Sequence, residues 1–151
     1  MFDFQGLVDT AASYALTTGE FDTVNMHEPR SVPGNGVACS IWASLIAPVS
    51  SSGLNSVSML VELTMRVQMQ SQTTAPLDEI DPAMMRAVAV LMATFAGGFT
   101  MGGTVREVDL IGQHSQGLRA KPGYINPNGV LCRVFDVSVP FIINDVLVEA
   151  P

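Results

Sequence analysis

The sequence predicts an α+β fold: a mostly antiparallel sheet with a long β-hairpin, and two helices packed on one face. Three observations predict it. Apolar residues recur at helical spacing over 4–17 and again over 77–96. Two runs, 37–47 and 56–70, alternate with a period of two and are joined by a serine-rich loop. The stretch 104–143 reads as further strands punctuated by Gly, Pro and Asn. The order helix, hairpin, helix, strands places the helices on one side of the sheet. A chain of 151 residues is one domain, 1–151, large enough to bury a core.

Phe4, Leu7, Val8, Ala11, Tyr14 and Ala15 define one face of the first helix, and Thr17, Thr18 and Gly19 end it. Residues 21–28 form a short strand or an extended connection, and 29–36 (PRSVPGNG) a loop. In 37–47, Val37, Cys39, Ile41, Ala43 and Leu45 share one face, and Ala38, Ser40, Trp42, Ser44 and Ile46 the other. The segment 48–53 (PVSSSG) breaks that run and reads as mobile. Residues 56–70 are the clearest strand: Val57, Met59, Val61, Leu63, Met65, Val67 and Met69 make a dry face. Ser58, Glu62, Thr64, Arg66, Gln68 and Gln70 make a wet or interfacial one.

The second helix takes Asp81 as N-cap and Pro82 as its first residue, with Asp78 and Glu79 at its positive end. Met84, Met85, Val88, Leu91, Met92 and Phe95 form its buried stripe, and Gly97-Gly98 stop it. Residues 104–111 predict a strand and 112–117 a loop. A polar edge strand over 118–125 is interrupted by Pro122. Asn128-Gly129 signals a hairpin turn, and 130–143 a last long strand whose Pro140 points to an edge or a bulge. Asn144-Asp145 fits a strand-end cap, an Asx turn or polar groups at a subunit boundary.

Composition narrows the function. Charged residues are 14% of the chain, against roughly 25% in average usage, so uncharged surface must be exposed or meet another chain. A Ser/Thr/Gln-rich surface, as in Ser50-Ser51-Ser52 and 68–74, is the competing explanation. Net charge is −7 and the seven cations are scattered, which argues against a phosphate-tracking groove. The first residues lack the pattern of a secretory signal, and no apolar run approaches the length of a membrane span. Cys39 and Cys132, both among apolar neighbours, are expected as buried free thiols.

No chemistry-bearing pattern stands out. His27 and His114 lack metal spacing, and Asp78, Glu79 and Asp81 are explained by a helix start. The glycines around Phe99-Thr100-Met101 follow a helix instead of opening one, so they make a tight turn and not a phosphate cradle. There is no nucleophile elbow and no triad order. The expectation is a non-enzyme without metal or cofactor.

Several segments, in order, resemble the tail terminator proteins of long-tailed phages, in particular siphophages of actinobacteria. They are NMHEPR at 25–30, PGNG at 33–36 followed by Trp42, and SSGLN at 51–55. DEIDPAMM at 78–85, FTMGGTVREVDL at 99–110 and GYIN at 123–126 follow. The last is 133–145, ending in VPFIIND. The resemblance covers most of the chain after the first twenty residues. It implies a virion structural protein made in the host cytoplasm. It forms a six-fold homomeric ring at the head–tail junction, ends tube polymerisation and offers a surface to head connector proteins. Its partners would be itself, the tail tube protein and the head completion protein. Genomic DNA would slide through an acidic lumen unbound, an idea that lumen-lining Arg66, Arg106, Arg119 and Lys121 would undermine. Candidate subunit and tube contacts are Trp42, Ser51, Ser52, Leu54, Glu62, Arg66, Gln68, His114 and Gln116. The alternatives are a tail tube subunit or neck connector of related fold, and a monomeric ligand-binding domain.

Overall fold

In a computed structural model, the described residues are 2–29, 36–51, 56–70 and 77–148. They form two helices and a six-stranded, mostly antiparallel sheet, an α+β fold. The helices are α1 (Phe4–Thr17) and α2 (Leu77–Gly97). The strands are β1 (Thr23–Asn25), β2 (Ala38–Ser51), β3 (Ser56–Gln70), β4 (Glu107–Val108), β5 (Arg119–Ile125) and β6 (Cys132–Val148). The strand order is β1-β2-β3-β6-β4, with β5 also on β6.

Helix α1 keeps its expected bounds, and the carboxylate of Asp3 caps it by accepting the Gly6 N–H at 2.9 Å. Leu7, Ala11, Ala12 and Ala15 are its buried face. Small residues there let it lie close to α2: a Cβ on Gly98 would meet the Tyr14 hydroxyl at 2.9 Å. Tyr14 and Phe95 rings lie 5.5 Å apart, and Phe95 continues to Phe141 of β6 at 6.1 Å.

Helix α2 starts at Leu77, where the periodicity begins, but Asp81 is not its N-cap: it lies within the helix, and Pro82 is interior as well. Asp81 instead holds Arg133 of β6, at Nε–Oδ1 2.9 Å, which ties the helix to the sheet. The buried stripe is Ile80, Met84, Ala87, Val88, Leu91 and Phe95; Met85 is exposed and Met92 partly buried. Fully burying each large side chain here contributes about 1.5–3 kcal/mol. By length and composition Asp78–Gly97 is apolar enough to cross a membrane, contrary to the sequence expectation. Its hydropathy is the stripe packed on the sheet plus exposed alanines on the far side.

The core lies between the helices and one sheet face. Val61, Leu63, Met65 and Val67 of β3 and Phe135, Val137, Val139 and Phe141 of β6 supply it, with Cys39 and Ile41 from β2. The expected wet face of β3 is not simply wet: Ser58, Thr64 and Gln68 are buried, as is Ser40 beside them on β2. Leu60 and Ile142, register partners on that face, are buried too.

Four strand expectations change. β2 runs through Pro48 to Ser51, so 48–51 is strand and not a break. β1 leaves most of β2's outer edge open, where a proline is tolerated. A bulge at Ser44 flips the side-chain phase, so Leu45 opposes Glu62 and Ile46 opposes Val61. The expected strand over 104–111 shrinks to Glu107–Val108, because Asp109 turns its side chain into the following loop. Pro140 lies neither at an edge nor in a bulge, since β3–β6 register is continuous through it. It sits where β6's outer partner changes from β5 to β4, and its carbonyl accepts the Asp109 N–H at 2.9 Å. A proline there removes a donor that no strand was using.

The expected turn after α2 is present as a tight turn at Met101–Gly103, and the Asn128-Gly129 turn connects β5 to β6. Asn128 and Gly129 both take positive φ, 53° and 80°, as such a turn requires. Asn144-Asp145 ends no strand: β6 continues to Val148, with 144–146 set against Ser58 as a bulge. Cys39 and Cys132 are free and buried, and burial pushes the Cys39 thiol up to about 12.

Candidate functional site

The candidate contacts fall in two places. Trp42, Glu62 and Arg66 lie on the sheet face away from the helices. His114 and Gln116 lie in the loop after β4, at the opposite edge. Of the hairpin tip, Ser51 contributes backbone pairing to Val57. Ser52 and Leu54 are outside the described residues.

On the first face, side chains from four strands form a charge-balanced layer. Arg66 makes a two-point contact with Asp136, Nε–Oδ1 2.8 Å and Nη2–Oδ2 3.2 Å, and its guanidinium lies 5.3 Å from the Trp42 ring. The hydrogen bond to Asp136 raises the Arg66 pKa, opposed by burial and aided by Asp136 and Glu28 charge. Arg119 of β5 reaches across β6 to Glu62 at 3.2 Å. These groups are engaged and half-buried, so they fix the sheet's own geometry before they meet a partner. Gln68 cannot be an outward contact: it is 2% exposed, and its Oε1 has no partner among the described residues.

The second place is built by Asp109, which the sequence places in a strand over 104–111. The residue is 3% exposed, and its carboxylate gathers the loop behind it. Oδ1 accepts the N–H groups of Gly112 and Gln113 at 3.1 and 2.8 Å. Oδ2 accepts those of His114 and Ser115 at 2.9 and 2.8 Å, and the Ser115 hydroxyl at 2.8 Å. Burial would raise its pKa, but the bonds from His114, Ser115 and Gln113 outweigh that and hold it below the ordinary carboxylate value. Gly112 and Gly117 take φ of 87° and 82°, and a Cβ on Gly117 would meet the Gly112 nitrogen at 2.9 Å. His114 therefore serves through its backbone, while Gln116 is exposed. The spacing Asp109, Gly112, Ser115, Gly117 was the available signal.

This loop holds an apolar groove open beside β4. Phe99, Val108, Leu110 and Ile111 line it, with Glu107, Asp109 and Gln113, enclosing about 230 Å³. Phe99 is 47% exposed and Ile111 84%. At the other edge, β2 is buried from Ala38 to Ile41 and then emerges, with Leu45 46% and Ile46 52% exposed. Among the described residues no group of three or more His, Cys, Asp or Glu is placed to hold a metal ion.

No family model and no curated protein matches the chain. Among solved structures it is similar to the sheath/tube terminator of an extracellular contractile injection system, PVC, in the extended state, with a TM-score of 0.34 and 10% identity. That match covers 100% of this chain and 61% of the other, so the chain spans less than two thirds of that protein's length.

Proposed function

We propose that this chain is a virion structural protein that caps the head-proximal end of a phage tail tube as a homomeric ring. It ends tube polymerisation there and presents the joining surface for head connector proteins. The observation that carries the reading is the order and spacing of the terminator-like segments, from 25–30 to 133–145. The described parts of those segments lie in an α+β fold.

The physical chemistry supports a role in assembly. Apolar surface emerges at two separated edges of one sheet, which suits repeated contact between copies. Five of the seven cations suit a wall past which DNA slides. Arg66, Arg86, Arg106, Arg119 and Arg133 each have a carboxylate within 4.0 Å, so they are poor phosphate anchors. The reading takes the chain as non-enzymatic and free of cofactor, with itself, the tube protein and a connector protein as partners.

The test is mass by light scattering, alone and with purified tail tubes, followed by electron microscopy of the tubes. Rings, or a cap at one tube end, are expected. Long self-assembled tubes would make the chain a tube subunit. A monomer indifferent to tubes would overturn the reading.

A further inference from the structure

The sheet has two outer edges, and among the described residues one of them is left largely open. β2 carries no charged residue in its 14 positions, and β1 covers only Ala38, Cys39 and Ser40 of its outer side. Soluble proteins protect such an edge with lysines, prolines or bulges, because its open backbone and apolar side chains recruit other chains. Here Pro48 and two bulges are present, yet Leu45 and Ile46 still stand out on opposite faces. A surface of this kind is expected to be covered.

The register says where the cover lies. Ala47 pairs with Leu60, Leu60 with Ile142, and Ile142 with Glu107. The exposed segment of β2 and the groove beside β4 therefore occupy one row, at opposite ends of it. Two copies side by side bring one copy's β2 against the other's β4 with no shift along the strands. The neighbouring strands would run antiparallel, as they do within the sheet. The groove is smaller than the ~300–1,000 Å³ of small-molecule sites, and suits a few aliphatic side chains better than a ligand. Its lining charges are already engaged, Glu107 at 3.9 Å from Arg106 and Asp109 by four loop N–H groups, and β2 brings none, so docking strands no unpaired charge. Simple strand addition is blocked, because the Val108 N–H already donates to the Phe99 carbonyl.

We propose that Ile46 of one copy, which shares a row and a face with Val61, Phe141 and Val108, inserts into the Phe99–Val108–Ile111 groove of the next copy. The contact is head-to-tail: each copy gives a ridge at one edge and a groove at the other, so it repeats until it closes. The Asp109 carboxylate holds the receiving loop in shape before docking, which lowers the ordering cost of association. The inference rests on the ring reading for its closure, and names the surfaces that would make the ring.

The test uses cysteine pairs in the full chain, whose native Cys39 and Cys132 are buried and do not interfere. Ile46→Cys and Ile111→Cys proteins, each alone, are expected to give no disulfide dimer on mild oxidation. Mixed, they are expected to give a dimer, and the double variant a ladder that ends at the closed ring. Ile46→Glu should weaken self-association about ten-fold or more, with Leu16→Glu, on the exposed side of α1, as an unaffected control. Dimers from Ile46→Cys alone would overturn the head-to-tail pairing. A mixture that gives no dimer, from a wild type that still forms rings or tube caps, would overturn these surfaces and leave the ring standing. A wild type that neither associates nor caps tubes would overturn both.

Discussion

One outer edge of the sheet belongs to β5 and the other to β2. β5, RAKPGYI, carries Arg119, Lys121 and Pro122, while β2, ACSIWASLIAPVSS, carries one proline and no charge. Lys121 and Pro122 are exposed, and Arg119 is spent on Glu62. Both strands face the same hazard, an open row of backbone groups; β5 meets it with charge and a proline, β2 with Pro48 and two bulges but no charge. β5 is also pinned from beneath. Arg133 lies 4.5 Å under the Tyr124 ring and 5.1 Å from Phe135, donates to the Gly123 carbonyl at 3.2 Å, and holds Asp81 of α2. Beyond Ile41, where its side chains emerge on both faces, β2 is held among the described residues by Trp42 beside Arg66 and by the Ser44 hydroxyl on the Glu62 carbonyl, neither of which reaches a helix. An edge that is guarded and clamped is finished within the monomer, whereas an edge left bare points to completion by another chain.

The largest effect is expected at Asp109, which shapes the groove on the β4 side and leaves the β2 edge untouched. Asp109→Ala strands four backbone N–H groups and is expected to cost about 3 kcal/mol, from the loss of hydrogen bonds to a charged, buried group. Thermal unfolding should show a fall of roughly 6–12 °C for a chain of this size. Hydrogen exchange should accelerate in 110–118 while β2 and β3 keep their protection. Acid should act in the same direction. The Asp109 pKa is lowered in the fold. Its contribution is therefore present above the unfolded value, about 3.9, and is lost as pH falls through the folded one. Loop protection that is insensitive to pH down to that range, and then fails, is the expected profile.

Arg133→Ala comes next. It removes the ion pair to α2, the bond to Gly123 and both ring contacts together. Because Asp81 is 48% exposed, the ion pair itself is discounted for solvent, and the total expected loss is about 1–2 kcal/mol. Denaturant unfolding measures it. Arg133→Lys should recover little, since a point charge does not stack as a guanidinium does. A full rescue by lysine would show that charge alone holds the clamp.

The difference between the edges was partly visible in the sequence. The two helices, the long hairpin and the guarded edge at Pro122 follow from periodicity and proline placement, which depend on near neighbours in the chain. What escaped depends on register. The bulge at Ser44 turns Ile46 from one face to the other, and no alternation pattern can show a residue that breaks the alternation. Gln68 fits a solvated face by pattern but is buried. Asp109 fits a strand by pattern, yet four N–H donors arriving from 112–115 outcompete the ladder there. Asp81 has the chemistry of an N-cap, but Arg133, 52 positions away, puts it to other use. The groove exists only because β4 and the turn at Phe99 meet β6, so no local window contains it.

The smallest expected change in stability gives the sharpest test of the comparison. Lys121→Val with Pro122→Thr would strip β5 of its guards, leaving an edge as bare as β2. Both side chains are exposed, so folding stability should move by only about 0.5 kcal/mol. Solubility should drop nonetheless, because a β-prone edge with a restored N–H can then recruit other chains. The opposite exchange, Ile46→Lys on β2, should be equally quiet in thermal unfolding and should reduce self-association. Light scattering on the two variants at matched concentration separates the cases. If stripping β5 adds association and charging β2 removes it, edge chemistry controls how copies meet. If Ile46→Lys associates like the wild type, the bare edge of β2 is only a tolerated exposure, and the contact between copies lies elsewhere.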